Sequence, residues 1–271
     1  MTTDSAAAAR LAKTSDILAR ADGSTIAYHL LAGVRTPGVV FLPGFRSDMQ
    51  GGKALALEAL CRAENRPFVR FDYTGHGQSS GHIEDGTIGS WTQDVLDVLD
   101  RLIVGPVVLV GSSMGGWIML LAALARKSRI AGLVGVAPAP DFTEDLIWND
   151  VPEAVRKTLR EKGVYYEVSQ YSPEPTPITL KLIEDGRRRL VLRAPIELDC
   201  PVRLIHGLSD SDVPWQLSLR LADTLTSRDV AVTLVKHGDH RLSEPADLAR
   251  LCRTVSDVCA IPHEVAANRS S

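Results

Sequence analysis

Two windows of this 271-residue chain share the spacing Gly-x-Ser-x-Gly: GQSSG at 77–81 and GSSMG at 111–115. A serine hydroxyl becomes a useful nucleophile when an imidazole takes its proton and a carboxylate orients that imidazole. The flanking glycines serve a sharp strand-to-helix turn that lifts the hydroxyl above a sheet. The second window has that setting. In PVVLVGSSMGGWIMLLAALARK (106–127) an apolar β-branched run enters the turn and an almost wholly apolar helical stretch leaves it. In FDYTGHGQSSGHIEDGTIGS (71–90) a strand enters, but polar, Gly-rich sequence follows for a dozen residues. Ser113 is therefore expected as a nucleophile, and Ser79 and Ser80 as loop residues.

A base and an acid should follow in the chain order Ser, Asp/Glu, His, each just beyond a strand. After VRLIHG (202–207), LSDSDVPW offers Asp210 and Asp212; after VAVTLVK (230–236), HGDHRLS offers His237 and His240. Position favours Asp210, which lies in the tight loop after Gly207, whereas Asp212 before Val213-Pro214 fits a cap or turn role. It also favours His240, whose loop beyond Gly238 can fold back over Ser113, while His237 directly follows the strand and Asp239 fits a loop-fixing role. An oxyanion hole needs two backbone N–H groups, one just after the nucleophile and one after an earlier strand. Met114 supplies the first, and Phe45 in FLPGFRSD (41–48) the second.

The elements that must hold these residues alternate along the chain. Residues 24–33 alternate like a half-buried strand, with SDILARA before them as a hairpin partner. Residues 38–44, 67–73, 106–113, 130–138, 201–207 and 230–238 are mostly continuous apolar runs, the pattern of parallel strands covered on both faces. Helical stretches at 52–64, 90–103, 114–126, 215–226 and 245–258 separate them. The fold class is α/β: a mostly parallel sheet of eight strands, antiparallel at its start, with helices on both faces. Between Asp141 and Asp199 the next strand is delayed by roughly sixty residues, too long for a structureless loop. Residues 141–199 are therefore expected to form a cap or lid insertion, with the core at 16–140 and 200–261 and tails at 1–15 and 262–271.

Bulk composition excludes other classes. The chain is 45% hydrophobic and 23% charged, with net charge −3 and no Lys-rich run, so a nucleic-acid face is not expected. No stretch approaches the roughly 20 apolar residues of a membrane helix, and the N-terminus lacks the apolar core of a secretory signal. Cys61, Cys200, Cys252 and Cys259 show no metal-ligand spacing, so they read as buried or incidental thiols in a reducing compartment, and no metal is expected. The expected location is cytoplasmic, or mitochondrial in a eukaryote.

Together, FLPGFRSDMQGGKALALEALC, RFDYTGHGQSSG, GSSMGGWIMLLAAL, CPVRLIHGLSDSDVPW and GDHRLS resemble the α/β-hydrolase superfamily over about residues 15–260. They resemble most a branch of mitochondrial palmitoyl-protein thioesterases, also acyl-glucuronide esterases, and their bacterial relatives. The resemblance implies Asp210 as the acid of HGxxDxxVP, His240 as the base of GDH, and no cofactor. Pro43-Gly44 replaces the His-Gly found at the oxyanion strand of many hydrolases of this fold, so only the Phe45 amide carries over. The implied activity is hydrolysis of acyl esters or thioesters through an acyl-enzyme, with a small molecule or an S-acylated protein as substrate. Broad carboxylesterases, lipase-like enzymes and C–C bond hydrolases use the same triad, and a non-catalytic binding protein shares the fold. Dehalogenases and epoxide hydrolases place Asp where Ser113 stands. For substrate contacts the candidates are Trp117 and Trp148, with Tyr165 and Tyr166, as an acyl lining. Arg187, with Lys181, Arg188, Arg189 and Arg193, forms a basic patch facing an anionic group or serving as a solvated helix face.

Overall fold

In the computed structural model, which describes residues 15–168 and 174–262, the side chains of the central strands divide by parity. Val40 and Leu42 join Val107 and Leu109 in one buried cluster; Val39 and Phe41 join Val108 and Val110 in another. This is the two-residue period of a strand covered on both faces.

The chain opens with β1 (Asp16–Ala19), β2 (Thr25–Leu31) and β3 (Gly38–Leu42), then α1 (Gly52–Ala63), β4 (Phe68–Phe71) and α2 (Ile88–Arg101). It continues through β5 (Val107–Ser112), α3 (Met114–Ala125) and β6 (Ile130–Val136). The sheet resumes much later with β9 (Val202–Gly207), α6 (Gln216–Thr224), β10 (Val230–Val235) and α7 (Pro245–Ala260). Strand order is β1-β2-β4-β3-β5-β6-β9-β10; β1 and β2 are antiparallel to their neighbours and the rest run parallel. Helices α2, α3 and α6 bury their apolar residues in the first cluster, and α1 and α7 in the second. Helix α3 is apolar nearly all round because it is covered nearly all round. Helix α2 starts on a reciprocal cap, Thr87 accepting from the Ser90 amide while Ser90 accepts from the Thr87 amide.

One strand departs from the sequence expectations. Strand β10 is an edge strand with exposed and half-buried positions, not a run covered on both faces. After α4 (Glu153–Lys162) comes an antiparallel pair, β7 (Val164–Glu167) with β8 (Thr176–Thr179). Pro177 is tolerated there because a two-stranded ribbon leaves outward-facing positions needing no ladder N–H.

Between β6 and β9 the chain forms a π-helical turn at Thr143–Trp148, then α4, β7, β8 and α5 (Leu180–Arg187). Helix α5 ends at Arg187, and the chain turns through 188–192. There the buried Asp141 carboxylate accepts the Val191 and Leu192 amides at 2.8 and 2.9 Å, tying the two ends of the segment together. Burial pushes the Asp141 carboxyl up, and those two amides and Arg193 oppose the shift. Leu159, Ile178 and Ile183 form a small cluster of their own, against which Phe45, Ile147, Trp148 and Tyr165 pack. The expected tails at 1–15 and 262–271 lie almost wholly outside the described residues. Among the described residues, no helix is long and apolar enough to cross a membrane.

Candidate active site

The tip of β5 delivers Ser113 into a positive-φ conformation, φ 54° and ψ −120°, before α3 begins at Met114. A non-glycine residue held there is strained, and such strain persists only where the surroundings enforce it. Here the enforcement is steric. A Cβ on Gly115 would run into the Leu42 and Pro43 carbonyl oxygens, and one on Gly111 into the carbonyl of Gly115. The glycines thus allow β3, β5 and α3 to approach closely enough to force the turn.

The Ser113 Oγ lies 3.0 Å from His240 Nε2, and His240 Nδ1 lies 2.8 Å from Asp210 Oδ2. The Asp210 side chain is fully buried, while that of His240 is 15% exposed. Asp210 Oδ1 accepts the Asp212 and Val213 amides at 2.9 and 2.8 Å. Burial alone would raise the Asp210 carboxyl, but hydrogen bonds from His206 and His240 hold it well below the usual carboxylate range. An ionised carboxylate at that position holds the proton on His240 Nδ1, leaving Nε2 to accept from the serine. The acid and base loops meet because Gly207 and Gly238 have no side chains; a Cβ on Gly207 would strike the Gly238 carbonyl.

The alternatives lie elsewhere. His237 is exposed, and Asp212 is exposed with its amide bound to Asp210. Asp239 Oδ1 accepts the Leu242 amide and fixes the base loop. Ser79 Oγ donates to the Asp72 carbonyl and accepts the Ala27 amide, and Ser80 Oγ accepts the Thr25 amide. These two serines stitch a loop to β2.

Met114, as the first residue of α3, has an N–H with no partner inside the helix. Phe45 sits in the loop after β3, on the same side of the sheet as Ser113. Close approach is again visible, since a Cβ on Gly44 would lie 3.4 Å from the Ser113 Cβ. Sequence reasoning missed the groups that hold this loop. Buried Asp72 accepts the amides of Met49 and Gln78 at 2.7 and 2.8 Å, joining it to the 74–81 loop. His76 Nε2 accepts the amide of Arg46, the residue after Phe45, and Nδ1 lies 3.3 Å from the Thr74 carbonyl. The Arg46 guanidinium reaches across to the Glu174 carbonyl and Thr176 Oγ1. In the sequence, DYTGHG offers only polar residues in a Gly-rich loop, and nothing local names their partners.

The proposed substrate contacts fare differently. Trp117 is fully buried, edge-on to Phe142, and its indole N–H donates to the Arg189 carbonyl at 3.2 Å. It packs in the core beneath α5, where a Cβ on Gly186 would lie 3.2 Å from its ring. Trp148 is half-buried, with the guanidinium of Arg187 over its ring at 4.4 Å and those of Arg160 and Arg156 at 5.6 and 5.9 Å. The basic patch is matched by carboxylates: Arg187 with Glu144, Arg188 and Arg189 with Asp185, Arg193 with Asp145, and Lys181 with Asp85. A concavity of about 440 Å³ lined by Ile130, Leu198, Cys200 and Pro201 lies at the opposite ends of β6 and β9 from this site.

Comparison with known proteins agrees with this architecture. A family model described as alpha/beta hydrolase fold matches residues 39–172. The mitochondrial palmitoyl-protein thioesterase ABHD10 of Homo sapiens is 43% identical over 248 residues, 91% of this chain and 80% of that protein. Among solved structures, alpha/beta hydrolase domain-containing protein 10 from mouse superimposes with a TM-score of 0.84 at 41% identity, covering 90% of this chain and 98% of that one. A putative hydrolase from Agrobacterium vitis S4 gives 0.86 at 41% identity, covering 90% and 97%. With this sheet order, a strained serine at the β5–α3 turn and relatives matched over most of its length, the chain belongs to the α/β-hydrolase family.

Proposed function

We propose that the protein is a serine hydrolase that cleaves acyl thioesters and esters through Ser113, His240 and Asp210. The observation that carries this reading is the continuous hydrogen-bonded line from Ser113 Oγ through the His240 ring to the buried Asp210 carboxylate, set at a strained turn. His240 takes the Ser113 proton as the hydroxyl attacks the acyl carbonyl, and the Phe45 and Met114 amides stabilise the resulting oxyanion. His240 then returns the proton to the departing thiol or alcohol. Water repeats the sequence on the acyl-enzyme, with His240 again as base.

Thioesters lead because the relatives matched over most of the chain are named palmitoyl-protein thioesterases. Residues 141–199 act in this reading as the cap. Their apolar cluster packs on Phe45, and their arginines are already paired with carboxylates, which favours an apolar acyl group over a charged leaving group as the recognised part. Trp148 and Arg187 then shape the cap and make no direct ionic contact with substrate. Of the two expected locations, the mitochondrial one is that of the mammalian relatives.

The test compares an S-palmitoyl peptide, an acyl-CoA, an acyl glucuronide and a p-nitrophenyl ester, with Ser113→Ala as background. Turnover should be highest on the S-acyl peptide, and Ser113→Ala should lose on the order of 10⁴–10⁶ in kcat on every member. A fluorophosphonate should label Ser113. Label on Ser79 or Ser80, or turnover by Ser113→Ala within tenfold of the parent, overturns the assignment.

A further inference from the structure

His206, at the end of β9, is fully buried, and its ring touches three polar groups. Nε2 lies 3.1 Å from Asp210 Oδ2 and 3.0 Å from the Val213 carbonyl oxygen. Neither neighbour carries a proton to donate, so Nε2 must hold one and donate it. Nδ1 lies 2.7 Å from the Oγ of Ser218, which is itself fully buried in α6. With the proton on Nε2, each polar atom of the ring has a partner, Nδ1 sharing a hydrogen bond with the Ser218 hydroxyl. The surroundings thus fix Nε2 as a donor toward Asp210.

The oxygen to which His206 donates is the one that receives His240 Nδ1–H at 2.8 Å. One carboxylate oxygen therefore joins two imidazoles, while the other takes two backbone amides. The line Ser218–His206–Asp210–His240–Ser113 connects α6 to the elbow serine without a break.

We infer that His206 is a positioning residue of this site: by donating to the same oxygen that receives His240, it limits the negative charge presented to that ring and so sets the acidic edge of activity. The inference rests on the proposed roles of Ser113, His240 and Asp210. A carboxylate with an added donor is a weaker acceptor toward its other partners. Removing that donor concentrates charge on the oxygen facing His240 and stabilises its protonated, inactive form. The titratable groups facing the carboxylate are His206 from β9 and His240 from the loop after β10. The Asp212 and Val213 amides face it from its own loop, and α6 contributes Ser218 through His206. A role confined to packing predicts the reverse: a loosened Asp210 holds His240 less well and leaves the edge in place or moves it downward.

The test measures kcat/KM against pH between about 4 and 9 for the parent, His206→Leu, His206→Gln and Ser218→Ala, on an S-acyl substrate and normalised by fluorophosphonate titration. His206→Leu should move the acid limb upward by about 0.5 to 1 pH unit, a roughly three- to tenfold change in the protonation equilibrium, with KM changed less than about twofold. His206→Gln, which restores an amide N–H near the Nε2 position, should return the limb close to that of the parent. Ser218→Ala, which frees Nδ1, should shift it upward by a smaller amount. An unmoved or downward-shifted limb in His206→Leu overturns the inference. If that variant does not fold, the Ser218→Ala profile decides in the same way. Ser113→Ala separates the two readings, because turnover surviving it sinks the triad itself, whatever the His206 profiles show.

Discussion

The windows at 77–81 and 111–115 satisfy one pattern and do opposite things with it. At 111–115 the strain falls on the serine: Ser113 holds φ 54° while its flanking glycines let backbone segments close in around it. At 77–81 the unusual angles fall on the glycines themselves, Gly77 at φ 47° and Gly81 at φ 94°. There Ser79 has its hydroxyl taken up by the Asp72 carbonyl and the Ala27 amide. One hydroxyl meets an imidazole, and the other meets main chain. The pattern selects backbone freedom; the chemistry comes from whatever lies opposite the oxygen.

That contrast can be broken most sharply through the glycines. Gly115→Ala should cost more than about 3 kcal/mol, or fail to fold, because its Cβ meets two fixed carbonyl oxygens. Gly81→Ala should cost only about 1–2 kcal/mol, from its positive φ, because the nearest atom to its Cβ, the Gly75 nitrogen, is 3.6 Å away. Denaturant midpoints check both, and equal losses would remove the mechanical distinction between the windows.

The loop that carries GQSSG also ties the loop after β3 through His76, and this link has a pH signature. Burial, assisted by the Arg46 charge and opposed by the Thr74 carbonyl, lowers the imidazole from about 6.5 to about 4. The folded value lies below the unfolded one, so the unfolded chain takes up the proton first as pH falls. Stability from this group is full above about pH 6.5 and declines until about pH 4, by up to about 3 kcal/mol. Protonated Nε2 can no longer accept the Arg46 amide, so the loop carrying Phe45 loses its tie. Stability of the parent against His76→Gln between pH 7 and 4 should show a steeper decline in the parent; parallel curves refute the link. The smallest expected effect on activity is that of Ser79→Ala: kcat unchanged per labelled serine, with a stability loss of about 1–2 kcal/mol from an orphaned amide and carbonyl. A fall in kcat would show that the two windows are coupled more tightly than their hydrogen bonds indicate.

The parallel core was legible because strands such as 38–42 and 107–112 are buried on both faces and read as unbroken apolar runs. The edge strand β10 shares their composition but not their burial, since composition carries no record of strand order. The β7–β8 pair was hidden by Pro177 within it and Pro173 and Pro175 just before, which local rules read as breaks. The basic run 187–193 looked like a charged surface because its partners Glu144 and Asp145 lie some 45 residues earlier. His206 stood in plain sight before Gly207, yet its tautomer and its shared oxygen depend on Ser218, Val213 and Asp210 meeting in three dimensions.

Local chain chemistry was enough for the fold class and for naming Ser113, Asp210 and His240 as candidates in their order, because strand period, turn glycines and chain order are all short-range properties. Which carboxylate oxygen serves two histidines, which loop His76 pins, and whether the arginines of 187–193 are free or paired were decided only by the tertiary structure. Each is a contact between segments distant in sequence, with a geometry set by packing.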